Sequence, residues 1–244
     1  MVSAAPASIL TGPFKSKRYG STLTLNLGSH EVALAVSRTN AMPRASVVVT
    51  TAAREIMRLS KNGDKVHAIV LYGSEYDPTT HPSFLEITEN IRDLRNKWFP
   101  KGKLILLSDA PDLEEYRARH AMGIYDQPTV RVEWGTAKTF SAMTGRKSTD
   151  LTQLTKHLSS LEKVVVRASF QRGKHDNSTD SEVKGWLKKL EEIKPAAIQI
   201  SNLFDPDDGQ KTVTPTRLKQ ITELLASKTD YAVTVLEDRD SPLE

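Results

Sequence analysis

The feature that most constrains this chain is an alternation of apolar, β-rich runs with amphipathic, helix-period runs, repeated about six times. Strands are expected at Thr22–Leu27, Glu31–Ser37, Val66–Leu71, Lys103–Leu107, Thr129–Trp134, Val164–Phe170, Ala197–Ser201 and Tyr231–Leu236. Continuous apolar stretches such as His67-Ala-Ile-Val-Leu71 fit strands covered on both faces, as parallel sheets require. The intervening runs read as helices over Thr51–Asn62, Ser83–Trp98, Asp112–Ala121, Thr136–Thr144, Asp150–Leu161, Thr179–Ile193 and Pro215 to about Lys228. Ser83-Phe-Leu-Glu86 and Thr179-Asp-Ser-Glu182 have capping-box spacing, and Pro215 suits the first helical position. No Pro/Gly/Ser-rich linker interrupts the series. A parallel α/β sheet with crossover helices follows, either doubly wound or a full or partial barrel. The 244 residues are then expected to form one domain, with residues 1–12 and 237–244 as flexible ends.

Composition removes several chemistries. There is no cysteine, so disulfides, thiolate metal sites and a cysteine nucleophile are excluded within this chain. The net charge of +4 is a mild excess and not a nucleic-acid footprint by itself. No run approaches the roughly 18 apolar residues of a membrane span, and no secretory signal is evident, so a cytoplasmic location is expected. The chain carries no P-loop, no Gly-x-Ser-x-Gly elbow and no Gly-x-Gly-x2-Gly.

Loops at Gly73–Pro82, Arg172–Ser178 and Asn202–Val213 follow strands and belong at the C-terminal edge of the sheet, where such folds place ligand sites. Glu75, Asp77 and His81 share the first loop. Two carboxylates and an imidazole could bind a metal, but their spacing matches no strong motif; the alternative is that Asp77 caps the turn and His81 bonds backbone near Pro82. Glu133 and Trp134 end the fourth strand of the parallel series, where a carboxylate beside an indole suits a ribose or cation, or the indole plugs the barrel mouth. Arg172, Lys174 and His175 form a basic turn suited to phosphate or carboxylate, or simply solvated. Lys15, Lys17, Arg18 and Tyr19 form a second basic cluster, without an RNA-binding motif.

The order of several short motifs resembles a known superfamily. Lys17-Arg-Tyr-Gly-Ser-Thr-Leu-Thr-Leu-Asn-Leu27 resembles the basic, glycine-containing lead-in of the radical S-adenosylmethionine (SAM) enzymes, in the iron–sulfur oxidoreductase-like branch. Gly63-Asp-Lys-Val-His-Ala-Ile-Val-Leu-Tyr-Gly-Ser74 resembles the second strand entering that family's SAM-amino-binding loop, and Pro78-Thr-Thr-His-Pro82 its Pro-Thr-Leu-His-Pro. Phe170–Ser178 and Lys194-Pro195 with Ala197–Asn202 resemble later elements in the same order.

The resemblance implies a partial (β/α)6 TIM-like barrel and a Cys-x3-Cys-x2-Cys loop holding a 4Fe–4S cluster after the first strand. Aligned there, Ala33, Ser37 and Asn40 stand at the three cysteine positions, and none is a useful iron ligand. Three further loops also depart from the pattern. The amino-binding loop reads Gly73-Ser-Glu-Tyr-Asp-Pro78, one residue longer than usual; the third-strand end reads Leu107-Ser-Asp-Ala110, and the fourth Val132-Glu-Trp-Gly135. Decay at four ligand loops with scaffold motifs retained reads as natural loss of the chemistry. The candidate ligand-binding set is Gly73, Ser74, Glu75, Asp77, His81, Ser108, Glu133, Trp134, Arg172 and Lys174. The expectation is a cluster-free protein, with no cofactor expected and residual SAM binding left open. Its role would be binding, scaffolding or regulation beside a protein partner such as an active homologue. Alternatives are an enzyme with different chemistry at the barrel mouth, using SAM, a nucleotide or a metal, or an RNA-associated accessory protein.

Overall fold

The computed structural model describes residues 8–29, 42–109, 113–204, 206 and 209–236. Ala33, Ser37 and Asn40, and with them the expected strand Glu31–Ser37, lie outside the described residues. The chain divides into two compact units, Met1–Pro128 with Asp240–Leu243, and Thr129–Arg239 with Glu244.

In the first unit, β1 (Leu10–Ser16) pairs antiparallel with β2 (Gly20–Asn26), which is followed in parallel order by β3 (Ala68–Tyr72) and β4 (Lys103–Ser108). Helices α1 (Ala45–Lys61), α2 (Phe84–Trp98) and α3 (Tyr116–Ile124) alternate with these strands. Side-chain alternation separates the sheet's faces. Ala68, Val70 and Ile105 cluster with Phe14, Tyr19 and Leu107 on one side. Ile69, Leu71, Leu104 and Leu106 lie on the other, fully buried, as are Val48, Ala52 and Ile56 of the amphipathic helix α1. A fully buried aliphatic side chain contributes about 1.5–3 kcal/mol, so these two faces account for much of the unit's cohesion.

The second unit contains β5 (Gln127–Arg131, its first two residues ending the first unit), β6 (Val165–Gly173), β7 (Ala197–Asn202) and β9 (Ala232–Leu236), paired in parallel in that order. A short β8 (Gln210–Thr212) pairs antiparallel with the end of β6. The helices are α4 (Ala137–Thr144), α5 (Asp150–Ser159), α6 (Asp180–Ile193) and α7 (Pro215–Lys228). Phe170 of β6 packs edge-on against Trp186 of α6 at 5.4 Å, and the Trp186 indole donates 2.8 Å to Val132 O. Val166, Ala168 and Phe170 therefore face the helix, and Arg167, Ser169 and Gln171 face away from it.

Caps fix the helix ends. Thr136, Thr179 and Thr214 each accept a backbone N–H three residues on, and Lys194, at φ 56°, ends α6 in the left-handed region before Pro195. Several sequence expectations change. Helix α1 begins at Ala45 rather than Thr51, and α3 spans Tyr116–Ile124 rather than Asp112–Ala121. Leu10–Gly12, expected to be flexible, belong to β1. Ser83 makes no side-chain cap bond; its own N–H donates to His81 Nδ1 at 3.0 Å. Among the described residues no helix is long and apolar enough to cross a membrane.

Candidate functional site

In the first unit the candidate residues lie in the loop after β3. Asn26, at the end of β2, donates from Nδ2 to Ser74 Oγ at 3.0 Å, while its Oδ1 accepts the N–H groups of Gly28 and Ser74. Gly28 O accepts the N–H groups of Glu75 and Tyr76 at 2.7 and 2.9 Å, and Ser29 Oγ donates to Glu75 Oε1 at 3.2 Å. The glycines have a steric reason. A Cβ added at either Gly28 or Gly73 would sit 1.8 Å from the carbonyl oxygen of Tyr76. The loop thus closes on the end of β2 through the Gly28 carbonyl and the Asn26 side chain.

Asp77 ends this loop. The residue is partly exposed but its carboxylate is enclosed by donors: Thr79 N at 2.9 Å, Thr79 Oγ1 at 2.5 Å, Ser108 Oγ at 2.9–3.0 Å and Asp109 N at 2.5 Å. Burial pushes its carboxyl above the usual aspartate range, and the hydrogen bonds oppose that shift without cancelling it. His81 turns elsewhere. Its Nδ1 accepts the Ser83 N–H, so Nε2 holds the proton and donates to Pro43 O at 2.7 Å. Burial pushes His81 below the ordinary histidine value, in keeping with a neutral ring. Glu75, Asp77 and His81 therefore serve three different partners and do not converge on a common point. Among the described residues no group of three His, Asp or Glu side chains could hold a metal ion.

In the second unit Glu133 Oε1 accepts the Ser169 N–H at 3.0 Å. Asn177 bridges the same region, donating from Nδ2 to Glu133 O and Ser169 O and accepting Gln171 N–H on Oδ1. Trp134 is buried and packs edge-on against Phe140 at 5.0 Å; its indole N–H has no partner among the described residues. Glu182 binds the N–H groups of Gly135 and Thr136 and the Thr136 hydroxyl, tying α6 to the turn after β5. Arg172 lies on the β6–β8 ribbon and donates from Nε to Thr212 O at 3.1 Å; Lys174 is exposed at its tip. Arg172 is thus committed to ribbon backbone.

Sequence reading missed the middle of the strands. Arg131 pairs in register with Arg167, Arg167 with Gln199, and Gln199 with Thr234. One row further along, Ser169 pairs with Ser201, their hydroxyls 3.0 Å apart. The signal was present: Thr129-Val-Arg-Val-Glu133, Val165-Val-Arg-Ala-Ser169 and Ala197-Ile-Gln-Ile-Ser201 share an apolar–polar alternation with the long polar residue at the centre.

No protein-family profile matches the chain, and no curated protein matches it. Solved structures do. SuiB of Streptococcus suis bound to S-adenosylmethionine aligns at TM-score 0.58 and 13% identity over 82% of this chain and 44% of SuiB. A radical SAM methyltransferase from Sphaerobacter thermophilus aligns at TM-score 0.57 and 10% identity over 89% of this chain and 66% of its own. The archaeal Methanocaldococcus infernus Elp3 aligns at TM-score 0.53 and 13% identity over 80% of this chain and 53% of its own. The chain spans less than half the length of SuiB. It has the mixed α/β, mostly parallel fold of the radical SAM partial barrel, and it has no cysteine. The residues present do not fit a thiolate-held 4Fe–4S cluster, because the chain supplies no thiolate.

Proposed function

We propose that this chain is a radical-SAM-fold protein that runs no cluster chemistry of its own and acts by binding, as a scaffold or regulatory subunit beside a protein partner such as an active homologue. The observation that carries the reading is the absence of any cysteine from a chain with this fold. The loop after β3 supports it, because the N–H groups of Ser74, Glu75 and Tyr76 and the Asp77 carboxylate are engaged by neighbouring residues. The test is anaerobic reconstitution of the purified chain with iron and sulfide. The expected result is no stable iron–sulfur absorbance and no 5′-deoxyadenosine from SAM. A stoichiometric cluster with SAM cleavage would overturn the reading.

A second reading keeps a ligand at the same fold: an enzyme or binding protein that takes SAM or another nucleotide without radical chemistry. Its support is the similarity to a SAM-bound structure and the position of Glu133 after β5. Calorimetry with SAM and S-adenosylhomocysteine separates the two. Saturable heat that is lost in Glu133→Gln favours the second reading, and no heat favours the first.

A further inference from the structure

The shoulder of the first unit, where α2 and α3 begin, carries a cleft of about 290 Å³ that neither reading uses. One wall is the start of α2, with Pro82, Leu85, Glu86 and Glu89; the other is the start of α3, with Glu115 and Arg117. Glu86 and Glu89 are neighbours at helical spacing. None of the three carboxylates is in a hydrogen bond or ion pair among the described residues, and the Arg117 guanidinium has no partner there either. Three acids against one base leave the cleft with a negative balance, and the acids form no group that could hold a metal ion. A guanidinium or ammonium on a flexible stem reaches dispersed carboxylates of this kind, and Pro82 and Leu85 offer the stem an apolar wall. A second observation lies at the rim. Tyr116, between Glu115 and Arg117 in the chain, is 70% exposed, more than any other large hydrophobic side chain among the described residues. Its ring stacks on His120, one helical turn on, with centroids 5.9 Å apart, which fixes the ring without burying it. A tyrosine held in place but left in solvent beside an arginine is the composition of an interface centre. A small cation in the cleft would leave that ring bare, whereas a peptide covers both.

We propose that this shoulder docks an extended, basic segment of a protein partner, whose arginine or lysine enters the cleft among Glu86, Glu89 and Glu115 while a neighbouring apolar side chain packs on Tyr116. Complementary charge selects the segment and speeds its encounter, and the aromatic contact adds residence time.

The test is selection of a displayed random-peptide library on the full chain, without iron or sulfide, followed by calorimetry with synthetic copies of the recovered peptides. The peptides are expected to carry arginine or lysine beside an apolar residue, and their affinity should fall with added salt. Glu86→Gln and Glu89→Gln together should weaken binding roughly tenfold or more. Tyr116→Ala, at an exposed position, should weaken it roughly fivefold. Glu115→Gln, also exposed, gives a second reading should the double variant fail to fold. Glu191→Gln, exposed on α6, is the control for general surface charge and should leave affinity unchanged. Recovery of no peptide, or of peptides without a basic residue, would overturn the proposal. So would equal weakening in Glu191→Gln and the double variant, or argininamide alone binding as tightly as the peptides, which would make the cleft a small-cation site. The inference goes beyond the function proposed above and fails separately from it: iron uptake leaves the peptide titrations standing, and a failed selection leaves the lack of cluster chemistry standing.

Discussion

Ser108 Oγ lies 3.0 Å from Oδ1 and 2.9 Å from Oδ2 of Asp77, 31 residues earlier in the chain. One hydroxyl at the end of β4 thereby fastens the loop that leaves β3. Asp77→Ala removes the acceptor for that hydroxyl and for the N–H groups of Thr79 and Asp109. Hydrogen bonds to a charged group contribute about 1.5–3 kcal/mol each and are not additive, so a loss of about 3 kcal/mol is expected. Urea denaturation should show a lower midpoint at unchanged slope.

The pH dependence of the same residue has a definite sign. Burial raises the Asp77 carboxyl above its ordinary 3.8 in the folded chain. Between that ordinary value and the raised one, the folded state binds more protons than the unfolded state, so stability falls as pH rises through the window. The contribution is complete below the ordinary value and lost once pH passes the folded one. Asp77→Asn cannot titrate. Subtracting its stability profile from that of the parent chain should leave a difference that declines with rising pH; a rising difference would reverse the assignment.

Tyr125 and Thr88 share a buried hydrogen bond of 2.9 Å between their hydroxyls. Burial is the main cause that pushes the Tyr125 phenol well above the ordinary tyrosine range. Tyr125→Phe keeps the ring stacked on Phe84 but strands the Thr88 hydroxyl, at a cost of about 1–2 kcal/mol. In alkaline difference spectroscopy, Tyr125 should ionise only with global unfolding, and the variant should lack that late phase.

Gly73 and Gly63 make a matched pair of substitutions. At Gly73 a methyl meets the Tyr76 carbonyl oxygen at 1.8 Å, whereas at Gly63, with φ +79°, nothing lies within 4 Å. Gly63→Ala should cost only the left-handed backbone penalty of about 1–2 kcal/mol. Gly73→Ala must displace the loop, at about 3 kcal/mol. Thermal melts should rank them in that order, and limited proteolysis near Tyr76 should increase only in Gly73→Ala.

The parallel strands were legible because their apolar runs are local signals. β1 was not: Gly12 and Pro13 interrupt it, and its pairing with β2 shifts between Thr11 and Phe14. The first turns of α1 were hidden by Val47-Val-Val-Thr-Thr51, β-branched residues that favour strand in isolation and become helical under tertiary packing. The three-residue β8 exists only because β6 continues past Phe170 to offer it a partner. At the site, a turn-capping Asp77 could be read from the residues that follow it, but its bond to Ser108 is long-range and left no trace in spacing. The Arg131–Arg167–Gln199 row depends on register between strands that are far apart in sequence, which alternation within each strand suggests but does not fix.

Gly135 and Gly185 meet backbone to backbone: a Cβ on Gly135 would fall 1.9 Å from Glu182 O, and one on Gly185 2.5 Å from Gly135 O. With no side chain between them, α6 lies against the turn after β5 like a lid seated on a machined rim. Substitutions that enlarge either residue would force that joint apart rather than adjust it. The Arg131–Arg167–Gln199 face points the other way, so its side chains can be exchanged without touching the joint. Substitution in this unit is thereby accommodated more readily on the other face of its strands than at this joint, where the helix holds a fixed gauge.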